Sequence, residues 1–206
     1  MGVIMRFRVI AAVLMFAGLG LAARADVTNP NFSPANSGAG NGAVAGWTES
    51  SSTFQGSTSG SPYWDNGTVS GISTVGFIQH DNSFSQSLTL VPGQLYTLSF
   101  YDNARNCCDG DPTLDVTVGG TNVLTQSSIA PVGGSNSFYF ETVSFDATSA
   151  SEILDFMNDT AGDPDTTVLL TDVHVLAATP EPSSLILLGT GILGAAGMMR
   201  RRFTRL

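Results

Sequence analysis

Between residues 26 and 178, short apolar runs alternate with polar residues and are broken by clusters of Gly, Ser, Asn, Asp and Pro. A period of two over such lengths is the pattern of strands with one buried face. Strands are predicted at 69–79 (VSGISTVGFIQ), 84–90 (FSQSLTL), 94–101 (QLYTLSFY) and 113–118 (TLDVTV), and again at 137–146 (SFYFETVSFD), 152–157 (EILDFM) and 167–176 (TVLLTDVHVL). In 94–101, Tyr96, Leu98 and Phe100 share the face expected to be buried; Leu95, Thr97, Ser99 and Tyr101 share the other. Residues 33–66 read as loop, with one short strand near 44–48. No segment has the 3.6-residue period of a long amphipathic helix, and no internal repeat is found. The expectation is an all-β domain of two packed antiparallel sheets, a jelly-roll or related sandwich.

The hydrophobic pattern changes at both ends. Arg6 and Arg8 precede the apolar run VIAAVLMFAGLGLA, which ends at Ala23-Arg24-Ala25 before Asp26. A basic start, an apolar middle and a small-residue cleavage site make a secretory signal over residues 1–25, cut by signal peptidase after Ala25. Uncut, the same run would be an N-terminal anchor. The second apolar run, 183–199, has 17 residues. As a helix it would be about 25 Å long, at the short limit for a single transmembrane span. Arg200, Arg201 and Arg202 follow it and would hold that end on the cytoplasmic side. Pro180-Glu181-Pro182 precedes it and stays extended outside the helix. The chain thus divides into a signal peptide (1–25), a β-sandwich body (26–178) and a terminal segment (179–206).

That terminal segment resembles the PEP-CTERM sorting signal on Pro180-Glu181-Pro182, Ser183-Ser184, the glycine-bearing helix and the arginine cluster. The resemblance implies recognition and cleavage near the motif by a membrane exosortase in a Gram-negative, polysaccharide-producing bacterium. It further implies transient anchoring in the inner membrane, then release to the cell envelope, outer surface or extracellular matrix.

Charge sharpens the division. The chain has eight bases, all arginine, and seven of them lie in the two ends. The body carries Arg105 against 16 acids, a formal charge of −15. Such a domain repels nucleic acid and anionic membrane; calcium, neutral sugars or basic partners are compatible with it, as is a plain role in solubility.

Within the body, the string VGFIQHDNSFSQSLTLVPGQLYTLSFYDNAR, together with DPTLDVTVGG and VLLTDVHVL, resembles galactose-binding-domain-like jelly-rolls, which include many carbohydrate-binding modules. The resemblance implies the fold and makes a sugar, here an exopolysaccharide, a candidate partner. Fold alone does not choose the ligand.

If the strands from Phe84 onward alternate in direction, the longer loops 79–83, 102–112, 126–136 and 158–166 gather at one end. They would bring His80, Asp81, Arg105, Cys107, Cys108, Asp109, Asp111, Asp159, Asp163 and Asp165 to one rim, where binding residues are commonly found. Asp109, Asp111, Asp163 and Asp165 are candidate calcium ligands, without EF-hand spacing, against the alternative of solvated loop acids; no other cofactor is expected. Cys107 and Cys108 are the only cysteines. Three states stay open for them: a strained vicinal disulfide, free thiols or intermolecular pairing. For stacking on sugar rings the candidates are Tyr63, Trp64 and Trp47, with Arg105 beside them. Trp47 could equally be a core residue, and Arg105 could pair with Asp102 or Asp109.

No Gly-x-Ser-x-Gly, His-Glu-x-x-His or phosphate loop occurs, and His174 beside Asp172 reads as structural. The chain is therefore expected to be a non-catalytic, exported carbohydrate binder, or else a structural or adhesive component of a biofilm matrix.

Overall fold

A computed structural model of the chain describes residues 24–33, 44–50, 53–57, 66–106, 110–160, 162, 165–178 and 190–191. Its strands are β1 (Arg24–Ala25), β2 (Thr48–Glu49), β3 (Thr53–Ser57), β4 (Asn66–Thr68), β5 (Thr74–Gln79), β6 (Asn82–Thr89) and β7 (Leu95–Ala104). They continue with β8 (Leu114–Val118), β9 (Thr121–Gln126), β10 (Gly134–Ser137), β11 (Tyr139–Asp146), β12 (Ser151–Asn158) and β13 (Thr167–Ala177). One sheet has the order β11-β7-β13-β5-β3, with β1 also paired to β13; the facing sheet has the order β2-β6-β12-β8-β9. Every pairing within these two sheets is antiparallel. The domain is the antiparallel two-sheet sandwich of jelly-roll type.

The alternation read from the sequence is the alternation that packs. Tyr96, Leu98 and Phe100 of β7 are buried between the sheets, opposite Phe84 and Leu88 of β6, Leu114, Val116 and Val118 of β8, and Leu154 and Phe156 of β12. Rings link the layers: Phe100 meets Phe156 edge-on at 5.1 Å, Phe156 lies 6.1 Å from Trp47, and Trp47 stacks on Phe32 at 4.9 Å. Gly76 of β5 lets this cluster form, because a Cβ there would come within 2.8 Å of the Phe32 ring and 2.9 Å of Phe84. The β8–β9 hairpin turns on Gly119 and Gly120, with φ of 57° and 77°. Two left-handed residues in a two-residue turn match the twist of the strands they join.

The structure departs from the predicted strands in four places. In the 69–79 run, Val69 and Ile72 form a small bridge around a turn, and only Thr74–Gln79 enters the sheet. The 137–146 run divides at Phe138, which is buried in a second apolar cluster with Val69, Val75, Phe77 and Leu169 on the outer side of the first sheet. There β10 pairs in parallel with β4, outside both sheets. Strand β7 continues to Ala104 because Asp102 and Asn103, polar residues that read as loop, are buried, and Asn103 Oδ1 accepts the Val132 N–H at 3.0 Å. Strands β3, β4 and β9 were not expected at all; β9 (TNVLTQ) lies at a sheet edge and buries little.

Among the described residues no helix is long and apolar enough to cross a membrane. The 183–199 run lies outside them except at Thr190 and Gly191, as do the Pro-Glu-Pro motif, Ala23 and the terminal arginines.

Candidate functional site

The loop end of the sandwich forms as strand parity predicts. His80 N donates to Thr166 O at 3.1 Å, Asp81 N to Asn158 O at 2.9 Å, Asp159 N to Thr113 O at 3.0 Å and Ile129 N to Pro112 O at 2.9 Å. These bonds tie all four long connections together. Most of the rim's polar groups are spent in doing so. The His80 ring contacts Thr160 O at 2.7 Å through Nδ1 and Asp81 at 3.3 Å through Nε2. Asn158, wholly buried, donates from Nδ2 to Ile78 O at 3.0 Å and Thr166 O at 3.2 Å. The Arg105 side chain, 7% exposed, binds Asp165 Oδ1 at 2.5 Å and Asp165 O at 3.1 Å. Asp165 is therefore a partner of Arg105 and Asp102 is not; the alternative partner Asp109 lies outside the described residues. Asp111 is exposed. Cys107, Cys108, Asp109 and Asp163 lie outside the described residues, as do Tyr63 and Trp64. Among the described residues no group of three or more His, Cys, Asp or Glu side chains is placed to hold a metal ion.

Trp47 belongs to the core. It is 7% exposed, stacked on Phe32, edge-on to Phe84 and Phe156, and its Nε1 donates to Asn29 O at 3.1 Å. No indole face is left on which a ligand could stack.

A different aromatic surface stands open on the outer face of the first sheet. Phe140 of β11 and Tyr101 of β7 are cross-strand partners, with ring centroids 4.9 Å apart and planes at 47°. Phe140 is 56% exposed, and Tyr101 leans on the outer apolar cluster. Along the same face Thr142 pairs with Ser99 and Ser144 with Thr97, the latter two hydroxyls 3.4 Å apart. On β13 a bulge between Thr171 and His174 resets the register, with Asp172 at a φ of 55°. The bulge keeps Val173 and Val175 buried while His174 pairs with Ser99 on the outer face, its Nε2 2.9 Å from Asp172 Oδ1. Bulges of this kind re-aim side chains beside functional surfaces. The result is an aromatic pair, a row of hydroxyls and an imidazole–carboxylate pair on one rigid sheet.

Residues 178–202 match the PEP-CTERM protein-sorting motif. That motif marks an exported protein that is transiently anchored in a membrane and processed there by exosortase. No curated protein matches the chain in sequence. In fold, the chain is similar to the Stig cyclase Fisc from Fischerella sp. TAU, at 17% identity and a TM-score of 0.56 over 78% of this chain and all of that one. It is also similar to the carbohydrate-binding module TmCBM61, solved with β-1,4-galactotriose, at 12% identity and a TM-score of 0.45 over 76% of this chain and all of that one. A third is the CBM22-1 xylan-binding domain of Paenibacillus barcinonensis Xyn10C, at 15% identity and a TM-score of 0.44, covering 68% and 91%. At these identities the likeness concerns fold alone.

A last group lies where the two sheets fail to close. Strands β9 and β11 are the edges of facing sheets, and at one end of the gap between them is a cavity of about 370 Å3 over Val118, Val123 and Phe145. Toward the other end Asp102 is wholly buried, and neither carboxyl oxygen has a hydrogen-bond partner. Burial, and next the charge of Glu141, push its pKa up to about 7, with the Gln126 amide pulling weakly the other way. Because the folded state holds this proton more tightly than the unfolded chain does, the stability it provides is present below about pH 4 and lost as pH rises through about 7. The loss is about 4 kcal/mol. In chelator, denaturant midpoints should fall steadily between pH 4.5 and 8, whereas those of Asp102→Asn should stay nearly level; parallel profiles would refute the assignment.

Proposed function

We propose that the body is a non-catalytic carbohydrate-binding domain, and that its ligand lies across the outer face of β11, β7 and β13. The observation that carries this reading is the Phe140–Tyr101 pair, standing open beside Ser99, Thr142 and His174. Sugar rings present apolar C–H faces and a rim of hydroxyls, and this surface offers aromatic rings for the one and hydroxyl and imidazole groups for the other. The body's charge of −15 favours a neutral or cationic glycan over an acidic one. Tyr63 and Trp64 remain proposed as a second aromatic contact. Arg105 is a weaker candidate, since its guanidinium is held by Asp165.

Export supplies the setting. Signal peptidase would cut after Ala25, leaving Asp26 as the first residue. That cut also takes away the β1 pairing of Ala25 with Val175, so β13 must keep its place through β7 and β5. Exosortase would then remove the segment behind Pro180-Glu181-Pro182, freeing the domain to the outer surface or matrix of a Gram-negative cell, where exopolysaccharide is the proposed partner. In intact-mass measurement on the native host, the mature chain should lack residues 200–206; a mature chain that retains Arg200, Arg201 and Arg202 would contradict this.

Affinity electrophoresis through gels loaded with neutral polysaccharides tests the binding face. Phe140→Ala and Tyr101→Ala should each weaken retardation roughly tenfold, the scale expected for losing one stacked ring. Arg105→Ala should leave it nearly intact. If no polysaccharide retards the protein while a deletion strain forms defective biofilm, the adhesive matrix role takes the place of sugar binding.

A further inference from the structure

Separate from the proposed sugar face, the end of the β9–β11 gap holds a chemical imbalance. Asp102, Glu141 and Gln126 come from three strands and share the interior. Asp102 follows the buried Phe100 by two residues on β7, Glu141 pairs with Phe100 across β11, and Gln126 pairs with the buried Leu114 across β9. Asp102 and Glu141 are thus diagonal neighbours on one face, about 7 Å apart. Asp102 Oδ1 and Oδ2 and Gln126 Oε1 are all shut off from solvent; the Gln126 amide lies near enough to favour the Asp102 carboxylate weakly, but none of the three oxygens has a hydrogen bond of good geometry. Buried polar atoms are seldom left this way, and a lone one costs about 1–3 kcal/mol. Here there are three, all acceptors, next to a second carboxylate. A proton on Asp102 supplies one donor among these acceptors, whereas a cation takes lone pairs from all of them at once and neutralises the second carboxylate as well. Within the body, residues 26–178, there is no lysine, the one arginine, Arg105, binds Asp165, and the two histidines contact Asp81 and Asp172.

We propose that Asp102, Glu141 and Gln126 form a calcium site that clamps β7, β9 and β11 together where the sheets do not close. Two carboxylates and an amide oxygen are a hard, oxygen-only donor set, which suits calcium and lacks the nitrogen and sulfur that zinc and copper prefer. Calcium's six to eight ligands leave the remaining positions to water and main-chain carbonyls. The ion would neutralise both acids in place of the proton that Asp102 otherwise retains, and would join an interior strand of one sheet to the edges of both.

The test is thermal melting of the mature protein, stripped with chelator, at pH 8 with rising calcium or magnesium. At a hundredfold excess over its Kd, calcium should raise Tm by roughly 5 °C or more, with magnesium far less effective. Asp102→Asn and Glu141→Gln should each shift the calcium midpoint at least about tenfold upward, since ligand charge sets affinity. Asp111→Asn, in the exposed rim, should leave it unchanged. No calcium response in the wild type, or one that survives Asp102→Asn, overturns the proposal. A response lost in Asp111→Asn instead would put the ion among the rim loops and overturn it equally. Should Asp102→Asn fail to fold, Glu141→Gln, at a half-buried position, gives the same reading.

Discussion

The contact between facing rings at the centre of the sandwich is what the remaining structure depends on. Phe100 comes from the sheet that carries the open aromatic face, Phe84 and Phe156 from the facing sheet, and Phe32 and Trp47 from the N-terminal segment. Burying a ring of this size supplies about 1.5–3 kcal/mol, and the cluster offsets part of the entropy lost in ordering the loop-rich N-terminal segment. One alternation serves two ends. In β7, residues 96, 98 and 100 are committed to the core, and this fixes residues 97, 99 and 101 on the outside; the same register places Phe140 beside Tyr101. The proposed binding face is therefore the reverse side of the core, held as rigidly as the core itself.

Charge explains the division of labour between the two ends of the molecule and its body. Seven of the eight basic residues are in the terminal segments, where on the proposed reading they would orient apolar runs at a membrane, and the body that would remain after processing is acidic and self-repelling. A domain with a single arginine has few means of neutralising an acid that packing has buried. At the rim Arg105 performs that task for Asp165. At Asp102 no side chain does, and the group keeps a proton or takes up a cation instead.

Where the pattern of apolar residues was strong, it was a sufficient guide. Strands β6, β7, β8, β12 and β13 were readable within a few residues because each has three or more alternate positions to bury. Strand β9 was not, because an edge strand facing an open gap has little apolar surface to show. Asp102 and Asn103 read as loop, since polarity ordinarily marks exposure, yet both are buried and extend β7. Gly76 and the Asp172 bulge answer to atoms far away in sequence, which a local pattern does not contain. The aromatic face was half legible: Tyr101 stood on the outward side of 94–101, but only the pairing of β11 with β7 reveals Phe140 next to it. The N-terminal aromatics and the lone arginine drew attention through rarity, and Trp47 and Arg105 prove to be held within the fold.

Whether a glycan lies across the outer face of β11, β7 and β13 is settled by chemical-shift mapping. The mature, isotope-labelled protein would be titrated with oligosaccharides cut from the host's own exopolysaccharide. Saturable shifts are expected at Ser99, Tyr101, Phe140, Thr142 and His174, with the amides of residues 79–83 and 158–160 unmoved. Shifts confined to the rim loops, with that face silent, would contradict it.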